Sequence, residues 1–577
     1  MSKLKHTLFL ALGAAALVGV STLKAQTAAP EIPQSHDAAV ARNLNTFNSI
    51  VKQLELRYVD TIRPNEAFEA AIGALLSTVD PYTTYYTADE RAELTQMTTG
   101  QYDYGGIGSF IMERNGNSYI SEPKEGAPAA LAGLRGGDHI IRVDSVDTHN
   151  TSSADVTKLL RGVVGTPVTV TVSRPHVADS ILTFNMVRAR LSDPSVPYWG
   201  VVKGNTGYIR LTSFIASTGK EVSEALEAFK ANPDVKQIVI DLRGNGGGLL
   251  EAAVEVLGNF LPKGTEVLRT KGRDPKNEKI YKTTRTPIFP DIPLAVLIDD
   301  TSASASEITA GALQDLDRAV LIGNRSYGKG LVQQTMNLPY DGLLKVTVAK
   351  YYIPSGRLIQ ALDYSHRNPD GSVARTPDSL TNVYHTLHGR EVRDGGGLTP
   401  DIKIEPEQYS RLLYNLVRDF WIFDYATKYA NTHPSIAPAG EFVITEEIFD
   451  DFKKSLNPEK INYDKVIEKM LGQLRSTVEE EGYMSDATKA AFETLTPLLA
   501  QNLEKDIEGH REEISEYLAN EIVGRYYNTT GKFEHELTID KGVKKAVEIL
   551  SDRDALAKIL GHDVASAKPA KGGKSKK

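Results

Sequence analysis

The stretch from residue 206 to 322 constrains the fold more than any other part of the chain. It alternates short, almost wholly apolar segments with longer segments whose apolar residues recur at helical spacing. The strand-like segments are Thr206–Leu211, Gln237–Leu242, Leu294–Ile298 and Ala319–Ile322, and the helix-like ones are Glu221–Phe229, Leu249–Phe260 and Ser304–Leu313. Strands that are apolar on both sides lie in sheets covered by helices on both faces. The sequence therefore predicts an α/β core whose sites form at the ends of the strands.

Length and composition divide the rest of the chain, since 577 residues exceed the size of one domain. We assign residues 1–25 to a signal peptide, 26–98 to an N-terminal helical region, 99–190 to a glycine-rich β domain, 191–405 to the α/β core, 406–560 to a C-terminal helical domain and 561–577 to a disordered basic tail. Within these regions we expect two helices broken near Arg63-Pro64, a strand at Val168–Val172 that closes the β domain, and one helix at Leu412–Ala426. The helical end either covers the core or mediates dimerisation, and a homo-oligomer is left open.

The first residues have the pattern of a secretory signal. Lys3 and Lys5 precede an apolar run from Leu8 to Val20, which is shorter than the ~20 residues that span a membrane. We expect cleavage after Ala25 and a location in the periplasm or cell envelope; the alternative is an uncleaved anchor. The chain has no cysteine, which excludes a lipid-modified cysteine, a Cys nucleophile, thiolate metal sites and disulfides.

Charge argues against polyanionic partners. The net charge is −8, and no basic stripe with interleaved aromatics is present, so the sequence predicts no nucleic-acid partner. The segment Gly323–Gly330 nearly matches the phosphate-loop pattern G-x-x-x-x-G-K-[ST], but Gly330 stands where a hydroxyl should meet magnesium. Nucleotide binding is therefore not expected.

The β domain contains a candidate peptide-binding loop. Gly105, Gly106, Ile107 and Gly108 precede the alternating segment Ser109–Met112. Backbone N–H groups of such a loop can capture a terminal carboxylate while the peptide adds to the sheet as a strand. The plainer interpretation is a small β domain with turn glycines. However, the stretch from residue 99 to 190 resembles a PDZ domain, which implies that Gly105–Gly108 is the carboxylate-binding loop.

Ser304 has two interpretations. Ser304-Ala305-Ser306-Glu307 fits the S-x-x-E capping box, in which the serine only caps the following helix. The same position suits a nucleophile, because a helix N-terminus carries unpaired N–H groups and partial positive charge that favour a developing oxyanion.

A serine nucleophile needs a base, and Lys329 is the candidate. No histidine lies between Leu191 and Ser365. A lysine can act as base if burial lowers its pKa from ~10.4 towards ~7–8. Its neighbours Gly328 and Gly330 are expected to let the backbone pass close to Ser304, and Gln333 could hold the amine without adding charge.

The glycine cluster at 241–248, Asp-Leu-Arg-Gly-Asn-Gly-Gly-Gly, follows a predicted buried strand. Its backbone N–H groups, with that of Ala305, could form an oxyanion hole. A tight strand-to-helix turn explains the glycines equally well.

These motifs together resemble the carboxyl-terminal processing peptidases, the tail-specific serine proteases of peptidase family S41. The resemblance runs from about Asp60 to Asp401 and includes, in the same order, Val79-Asp80-Pro81-Tyr82, Gly207–Leu211 and Tyr352–Arg357. It implies a crotonase-like core, Ser304 as nucleophile, Lys329 as base, Gln333 as the glutamine that orients the lysine, and oxyanion donors at Gly247 and Ala305. Ser302 and Ser306 are the nearest alternatives to Ser304.

The implied function is cleavage of exported polypeptides that present free, apolar C-termini, without a metal, nucleotide or other cofactor. The rival class is a catalytically inactive scaffold that binds peptides in the cell envelope. Asp315, at the far end of the predicted helix, is interpreted as a member of a structural ion pair.

Overall fold

The computed structural model describes residues 35–562, apart from residues 89, 203–204, 369, 462–464 and 501. The predicted signal peptide and residues 563–577 of the predicted tail lie outside this range. The chain forms two units, one up to Leu75 and one from Leu76 onwards. Among the described residues, no helix is both long and apolar enough to cross a membrane.

The N-terminal unit contains the two helices that the pattern predicts. Helix α1 spans His36–Arg57, and α2 spans Pro64–Ser77 and runs just past the unit boundary. The Ser35 hydroxyl caps α1, and Pro64 starts α2, where its missing N–H and fixed φ suit the first helical position. No residue of either helix is buried.

The second unit begins with β1 (Thr84–Tyr86) and α3 (Arg91–Thr99) and continues into the β domain. The elements of the β domain are β2 (Gln101–Gly106), β3 (Ser109–Arg114), β4 (Asn117–Pro123), α4 (Pro128–Ala132), β5 (His139–Val143), β6 (Val146–Asp147), α5 (Ser153–Leu160), β7 (Pro167–Ser173), β8 (Ile181–Val187) and β9 (Ala189–Ser192). The antiparallel sheet has the order β3-β4-β5-β7-β8, with β6 paired to β5. The strand predicted at Val168–Val172 is present as β7, but the prediction that it closes the domain is wrong, because β8 follows it in the sheet. The pattern of β8 is weak because an edge strand leaves apolar side chains such as Ile181 and Val187 exposed.

The α/β core is present as predicted, and a second sheet accompanies it. The elements are β10 (Tyr198–Val202), β11 (Thr206–Arg210), α6 (Thr218–Ala231), β12 (Gln237–Asp241), α7 (Leu250–Leu257), β13 (Glu266–Gly272), β14 (Lys279–Lys282), β15 (Leu294–Ile298), α8 (Ala305–Asp315), β16 (Val320–Gly323), β17 (Leu331–Asn337), β18 (Leu343–Tyr352), β19 (Leu362–Arg367), β20 (Val373–Arg375), β21 (Val383–His385), β22 (Glu391–Arg393) and β23 (Ile402–Lys403). The main sheet has the order β10-β11-β12-β15-β16-β23 and is parallel from β11 onwards. The second sheet is antiparallel, in the order β1-β18-β13-β14, with β17 also paired to β18.

The C-terminal region is helical. Its helices are α9 (Arg411–Arg418), α10 (Trp421–Thr432), α11 (Glu446–Ser455), α12 (Val466–Glu480), α13 (Asp486–Leu498), α14 (Leu503–Gly509), α15 (Arg511–Ile539), α16 (Lys541–Ser551) and α17 (Arg553–Ile559). The single helix predicted at Leu412–Ala426 is wrong: Phe420 adopts a left-handed conformation with φ 63° and separates α9 from α10.

Two groups of helices cover the main sheet. Side chains of α6, α7 and α8 form a core with one face. On the other face, Leu550 and neighbouring apolar residues of α16 and α17 pack against strand residues such as Leu297 and Ile322. The helical end therefore covers the core, which is one of the two roles that its sequence left open.

Helix α16 should contribute directly to stability. Replacing Leu550, which is 0% exposed, by alanine is expected to lower the free energy of unfolding by about 2–5 kcal/mol. Urea denaturation followed by circular dichroism measures this change. The matched control is Leu474→Ala on α12, where the leucine is 54% exposed and the expected change is within about 0.5 kcal/mol. Equal stability of the two variants would show that α16 does not belong to the core.

The β domain is docked on the C-terminal helices by ion pairs. Arg114 on β3 contacts Asp424 on α10 at 2.6 Å, and Lys532 on α15 contacts Glu122 on β4 at 3.2 Å. Both contacts are partly shielded from water, which limits screening by salt. The edge strand β3 is therefore held in a defined place beside the helical domain.

Candidate active site

Three serines lie close together at the start of α8, and their environments differ. Ser302 and Ser306 are fully buried, and their hydroxyls donate at 2.8 Å to the carbonyl oxygens of Leu242 and Asn245. Ser304 lies between them and is partly exposed. Of the three hydroxyls, that of Ser304 is the one accessible to a substrate.

Ser304 occupies the N-cap of α8 in a strained conformation. Its φ of 56° and ψ of −113° are unusual for a residue other than glycine. Its backbone N–H donates to the Glu307 carboxylate at 2.9 Å, so the carboxylate half of the predicted capping box is formed. The Glu307 carboxylate therefore caps this helix end through the backbone of Ser304.

Glu307 joins the serine loop to the lysine loop. Its Oε2 accepts hydrogen bonds from the backbone N–H groups of Ser304 and Lys329, each at 2.9 Å. Its Oε1 accepts from the N–H of Gly328 and from the hydroxyl of Ser326. The two predicted residues, 25 positions apart in sequence, therefore bind the same oxygen atom.

The buried position of Glu307 affects its ionisation. The residue is 0% exposed, and burial raises its pKa to about 7, although the four hydrogen bonds from Ser326, Lys329, Gly328 and Ser304 act in the opposite direction. The ionised carboxylate is the form that can accept from all four donors at once.

Tyr351 on β18 provides a second link. Its hydroxyl lies 2.7 Å from the carbonyl oxygen of Lys329 and 3.3 Å from that of Ser304. The residue is 1% exposed, so its hydroxyl stays inside the core of the site.

Lys329 lies in an environment that favours the neutral amine. Burial and, after it, the nearby positive charge of Lys345 lower its pKa to about 8, although the charges of Glu307 and Asp80 act in the opposite direction. The ammonium nitrogen lies 4.3 Å from the centroid of the Tyr82 ring. The lowered pKa is what a lysine base requires near neutral pH.

The glycines that flank Lys329 permit a close approach, but not the predicted one. A Cβ on Gly328 would lie 2.4 Å from Cβ of Ala361, and one on Gly330 would lie 2.9 Å from the backbone nitrogen of Gln360. Glycine is therefore needed at both positions because the backbone passes close to residues 360–361. The prediction that these glycines let the backbone pass close to Ser304 is wrong.

Gln333 lies on β17, directly after an irregularity in its pairing with β18. Its Nε2 donates to the Thr347 hydroxyl at 3.1 Å. The hydrogen bond that the structure shows is thus to a neighbouring strand, and the role of Gln333 in orienting the lysine stays a prediction.

The predicted oxyanion donors lie beside Ser304. A Cβ on Gly247 would be 2.8 Å from Cβ of Ser304 and 2.9 Å from the nitrogen of Ala305, which shows how closely the glycine loop approaches. The N–H of Gly247 donates to Oδ1 of Asn245 at 2.9 Å. Within the described chain, the N–H groups of Ala305 and Gly248 have no acceptor. Of the two predicted oxyanion donors, the N–H of Ala305 is therefore unoccupied among the described residues, whereas the N–H of Gly247 is already bound to Asn245.

Sequence reasoning missed several residues that shape this site. From the sequence, Glu307 is recognisable only as part of a capping box, Asn245 only as part of a glycine-rich turn, and Tyr82 only as part of a family motif. The signal for Glu307 is its spacing from Ser304. Tyr82 lies in the turn before β1 and Tyr351 lies on β18, and local patterns do not reveal that these parts of the second sheet reach the site. Asp315 does form the predicted ion pair, with Arg357 at 2.7 Å, and both side chains are buried.

The predicted peptide-binding loop leads into an exposed strand edge. Strand β3 pairs with β4 on one side only, and Phe110 on β3 is 58% exposed. The carbonyl oxygens of Ile107 and Gly108 accept from backbone N–H groups at 2.8 and 2.9 Å, whereas the N–H groups of these two residues have no acceptor among the residues described. The N–H of Gly105 donates to the carbonyl oxygen of Gly162 at 2.7 Å, and Gly106 pairs with Ala189 of β9.

Two other types of site find no support in the structure. The segment Gly323–Gly330 leads into strand β17, whereas a phosphate loop leads into a helix. In the described ranges, no group of three or more His, Cys, Asp or Glu side chains is arranged to hold a metal ion.

Comparison with known families matches three parts of the chain. Residues 205–373 match the sequence model of peptidase family S41, residues 119–174 match that of a PDZ domain, and residues 412–550 match one described as "Probable PDZ-protease, C-terminal helical domain".

Curated relatives and solved structures are similar to this chain over much of their length. A carboxy-terminal-processing protease of Bartonella bacilliformis is 34% identical over 369 residues, which are 63% of this chain and 83% of that protein. A "Probable CtpA-like serine protease" of Staphylococcus aureus is 30% identical over 449 residues, covering 75% and 85% of the two chains. Among solved structures, a photosystem II D1 C-terminal processing protease is 26% identical with a TM-score of 0.33, covering 64% of this chain and 89% of that one. The matched S41 region and the two curated relatives show that the chain belongs to peptidase family S41, among the carboxy-terminal processing serine proteases.

Proposed function

We propose that this chain is an exported endopeptidase that binds the free C-termini of envelope proteins through its PDZ domain and cleaves them with a Ser304–Lys329 dyad. The α/β core is proposed to be of the crotonase type. The observation that carries the dyad is the shared contact of both residues with one oxygen of Glu307. That contact fixes the serine and lysine loops relative to each other before a substrate binds.

The chemistry follows from the protonation states. The neutral amine of Lys329 takes the proton from Oγ of Ser304 as Oγ attacks the scissile carbonyl carbon. The N–H of Ala305, together with the glycine loop at Gly247, stabilises the oxyanion at the positive end of α8. Because the N–H of Gly247 already binds Asn245, the oxyanion competes with that amide for it. The ammonium of Lys329 then protonates the leaving amine. The neutral Lys329 next takes a proton from a water molecule, whose oxygen attacks the acyl carbon; the C–O bond to Ser304 breaks, and Oγ takes the proton from Lys329.

The peptide would be delivered by strand addition. The N–H groups of Ile107 and Gly108 are free to receive a terminal carboxylate, and the unpaired edge of β3 can accept the preceding residues as an added strand. The exposed ring of Phe110 favours apolar side chains in that added strand. The ion pairs with the helical domain keep this edge in place.

Paired peptides test the proposed recognition. One peptide with an apolar C-terminal sequence is prepared with a free carboxylate and with a C-terminal amide, and kcat/KM is measured for both. The free acid is expected to be cleaved at least about 10-fold better, because the amide loses the charge-assisted hydrogen bonds to the loop. Equal rates would contradict recognition of the terminus, while binding of the free acid without turnover would favour the inactive scaffold.

The acidity of Lys329 predicts the pH profile. Since the pKa of Lys329 in the free enzyme is lowered to about 8, the fraction of neutral, reactive amine increases as pH rises through that value. The rate constant kcat/KM is expected to fall about tenfold for each pH unit below 7 and to level off above pH 9. A profile that is flat between pH 6 and 9 would exclude Lys329 as the base.

Export is proposed from the N-terminal sequence alone. Residues 1–25 have the pattern of a signal peptide, and cleavage after Ala25 would leave Gln26 as the first residue. Mass spectrometry of the N-terminus of protein recovered from the envelope fraction tests this, and an intact N-terminus would support the uncleaved anchor. A homo-oligomer also stays a prediction, which sedimentation equilibrium measures.

A further inference from the structure

Tyr82 is held in place by the turn that precedes β1. Both carboxylate oxygens of Asp80 accept from this turn: the N–H groups of Tyr82 and Thr83 donate to one at 2.8 and 2.9 Å, and the Thr83 hydroxyl donates to the other at 3.1 Å. The Thr83 hydroxyl in turn accepts from the N–H of Thr347 on β18. Asp80 is 4% exposed, so the turn is a fixed part of the second sheet.

The ring of Tyr82 is fixed at its outer end as well. The hydroxyl of Tyr364 donates to that of Tyr82 at 3.3 Å, and the hydroxyl of Tyr82 donates to that of Tyr327 at 3.4 Å. The ring of Tyr364 also packs edge-on against Tyr82, with centroids 5.9 Å apart. Held at both ends, the ring places its face 4.3 Å from Nζ of Lys329.

We infer that Tyr82 is a positioning residue for Lys329, whose ring keeps water from one side of the neutral amine and then holds the ammonium that forms when the proton leaves Ser304. This inference rests on the proposed Ser304–Lys329 dyad. As Oγ of Ser304 bonds to the carbonyl carbon, its proton moves to Nζ and the carbonyl electron pair moves to oxygen. The proton passes from Nζ to the leaving nitrogen when the C–N bond breaks.

The ring can serve both states because it acts on them differently. Covering the amine disfavours the charged form through desolvation, whereas the negative face of the ring attracts the ammonium. The neutral amine that takes the proton has no charge, so an interaction made only with the ammonium that develops accelerates the proton transfer.

Three charged groups besides the Tyr82 ring also affect the pKa of the Lys329 amine. Lys345 on β18 disfavours the ammonium, while Glu307 on α8 and Asp80 in the turn favour it. None of these is removed by changing Tyr82, so substitutions there isolate the contribution of the ring.

Three substitutions separate the two effects of the ring. Tyr82→Leu keeps an apolar cover but removes the π face, so the pKa of Lys329 should fall below its wild-type value while kcat/KM drops at least 10-fold. Tyr82→Ala admits water, so the pKa should rise by a unit or more. Tyr82→Phe keeps the aromatic face and should retain the wild-type pKa of Lys329 and most of the wild-type activity.

The measurement does not depend on turnover. In a Ser304→Ala background, the rate at which acetic anhydride acetylates Lys329 is measured against pH by mass spectrometry, which gives the pKa of the amine directly; kcat/KM is measured in the Ser304 enzymes. Shifts of opposite sign in the Leu and Ala variants support the inference. Shifts of the same sign, or none, overturn it, and if the Ala variant does not fold, an unshifted or raised pKa in the Leu variant overturns it. An active Lys329→Ala enzyme would refute the dyad instead.

Discussion

Replacing either Ser304 or Lys329 by alanine is expected to reduce kcat/KM by about 10⁴-fold or more. In the proposed mechanism, the serine variant lacks the nucleophile and the lysine variant leaves the Ser304 hydroxyl without a base, although the backbone N–H of residue 329 can still bind Glu307. Cleavage of a fluorogenic peptide with a free, apolar C-terminus measures the loss. Because the two residues act as one unit, the double variant should lose little more than either single variant.

The neighbouring serines supply the matched controls. Ser302→Ala and Ser306→Ala remove hydroxyls that are bound to backbone carbonyls, so their loss of activity should stay within about 10-fold and accompany a loss of stability of about 1–3 kcal/mol. A Ser304→Ala enzyme that keeps a tenth of the wild-type activity, or a Ser302 variant that is as inactive, would move the nucleophile to another residue.

Loss of the lysine should not be confused with unfolding. Lys329→Met removes an amine whose charged form is disfavoured by burial, as its lowered pKa shows. Relative to an unfolded lysine with a pKa of ~10.4, the native state binds fewer protons between pH 8 and 10, so the lysine costs stability below pH 8. The methionine variant is therefore expected to be inactive and to unfold at a higher temperature than the wild type at pH 7.

The part of this site that could be predicted from sequence is the part fixed by local rules. The sequence predicts Ser304 from a helix N-terminus that follows a buried strand, and Lys329 from its flanking glycines and the absence of a histidine between Leu191 and Ser365. In the structure the two residues follow neighbouring strands, β15 and β16. Both lie at the ends of parallel strands, where neighbouring loops meet for topological reasons. The family resemblance implies the roles of nucleophile and base, whereas periodicity alone indicates only where in the fold the two residues lie.

The contacts that tune the site could not be predicted in the same way. Tyr82 lies 247 residues before Lys329 and reaches it only because β1 pairs with β18. Antiparallel pairing between such distant strands leaves no local periodicity. The same limit applies to the covering of the main sheet by α16: Leu550 and Leu297 belong to one apolar cluster, although more than 250 residues separate them in sequence.

Glu307 is expected to matter almost as much as the dyad. Replacing it by glutamine keeps the size of the side chain but leaves one carbonyl oxygen and places an NH₂ group against donors. The remaining oxygen can replace Oε1 or Oε2 but not both, so the N–H groups of Ser304, Gly328 and Lys329 and the Ser326 hydroxyl can no longer all be satisfied. We expect kcat/KM to fall about 10²–10³-fold and stability to fall by about 1–3 kcal/mol.

The pH dependence of stability separates the charge of Glu307 from its hydrogen bonds. Its folded pKa of about 7 lies above the ~4.3 of an unfolded glutamate, so its contribution to stability is present in full below pH 4.3 and is lost as pH rises through 7. The glutamine variant lacks this titration. The wild type should therefore be most stable relative to Glu307→Gln near pH 4, with a smaller difference above pH 7. Glu224→Gln, on the exposed side of α6, is the control and should change stability by less than about 0.5 kcal/mol at any pH.

The pH profile of activity decides whether Glu307 acts by position or by charge. The carboxylate raises the pKa of Lys329, so removing its charge should move the acid limb of kcat/KM below pH 8 and make more of the amine neutral. If charge alone mattered, the variant would therefore be faster than the wild type at pH 7. A variant that is slower at every pH, with its acid limb moved to lower pH, shows that the carboxylate serves by holding the two loops together. If the activity of Glu307→Gln stays within threefold of the wild type at every pH, Glu307 acts only as a helix cap and has no part in holding the site.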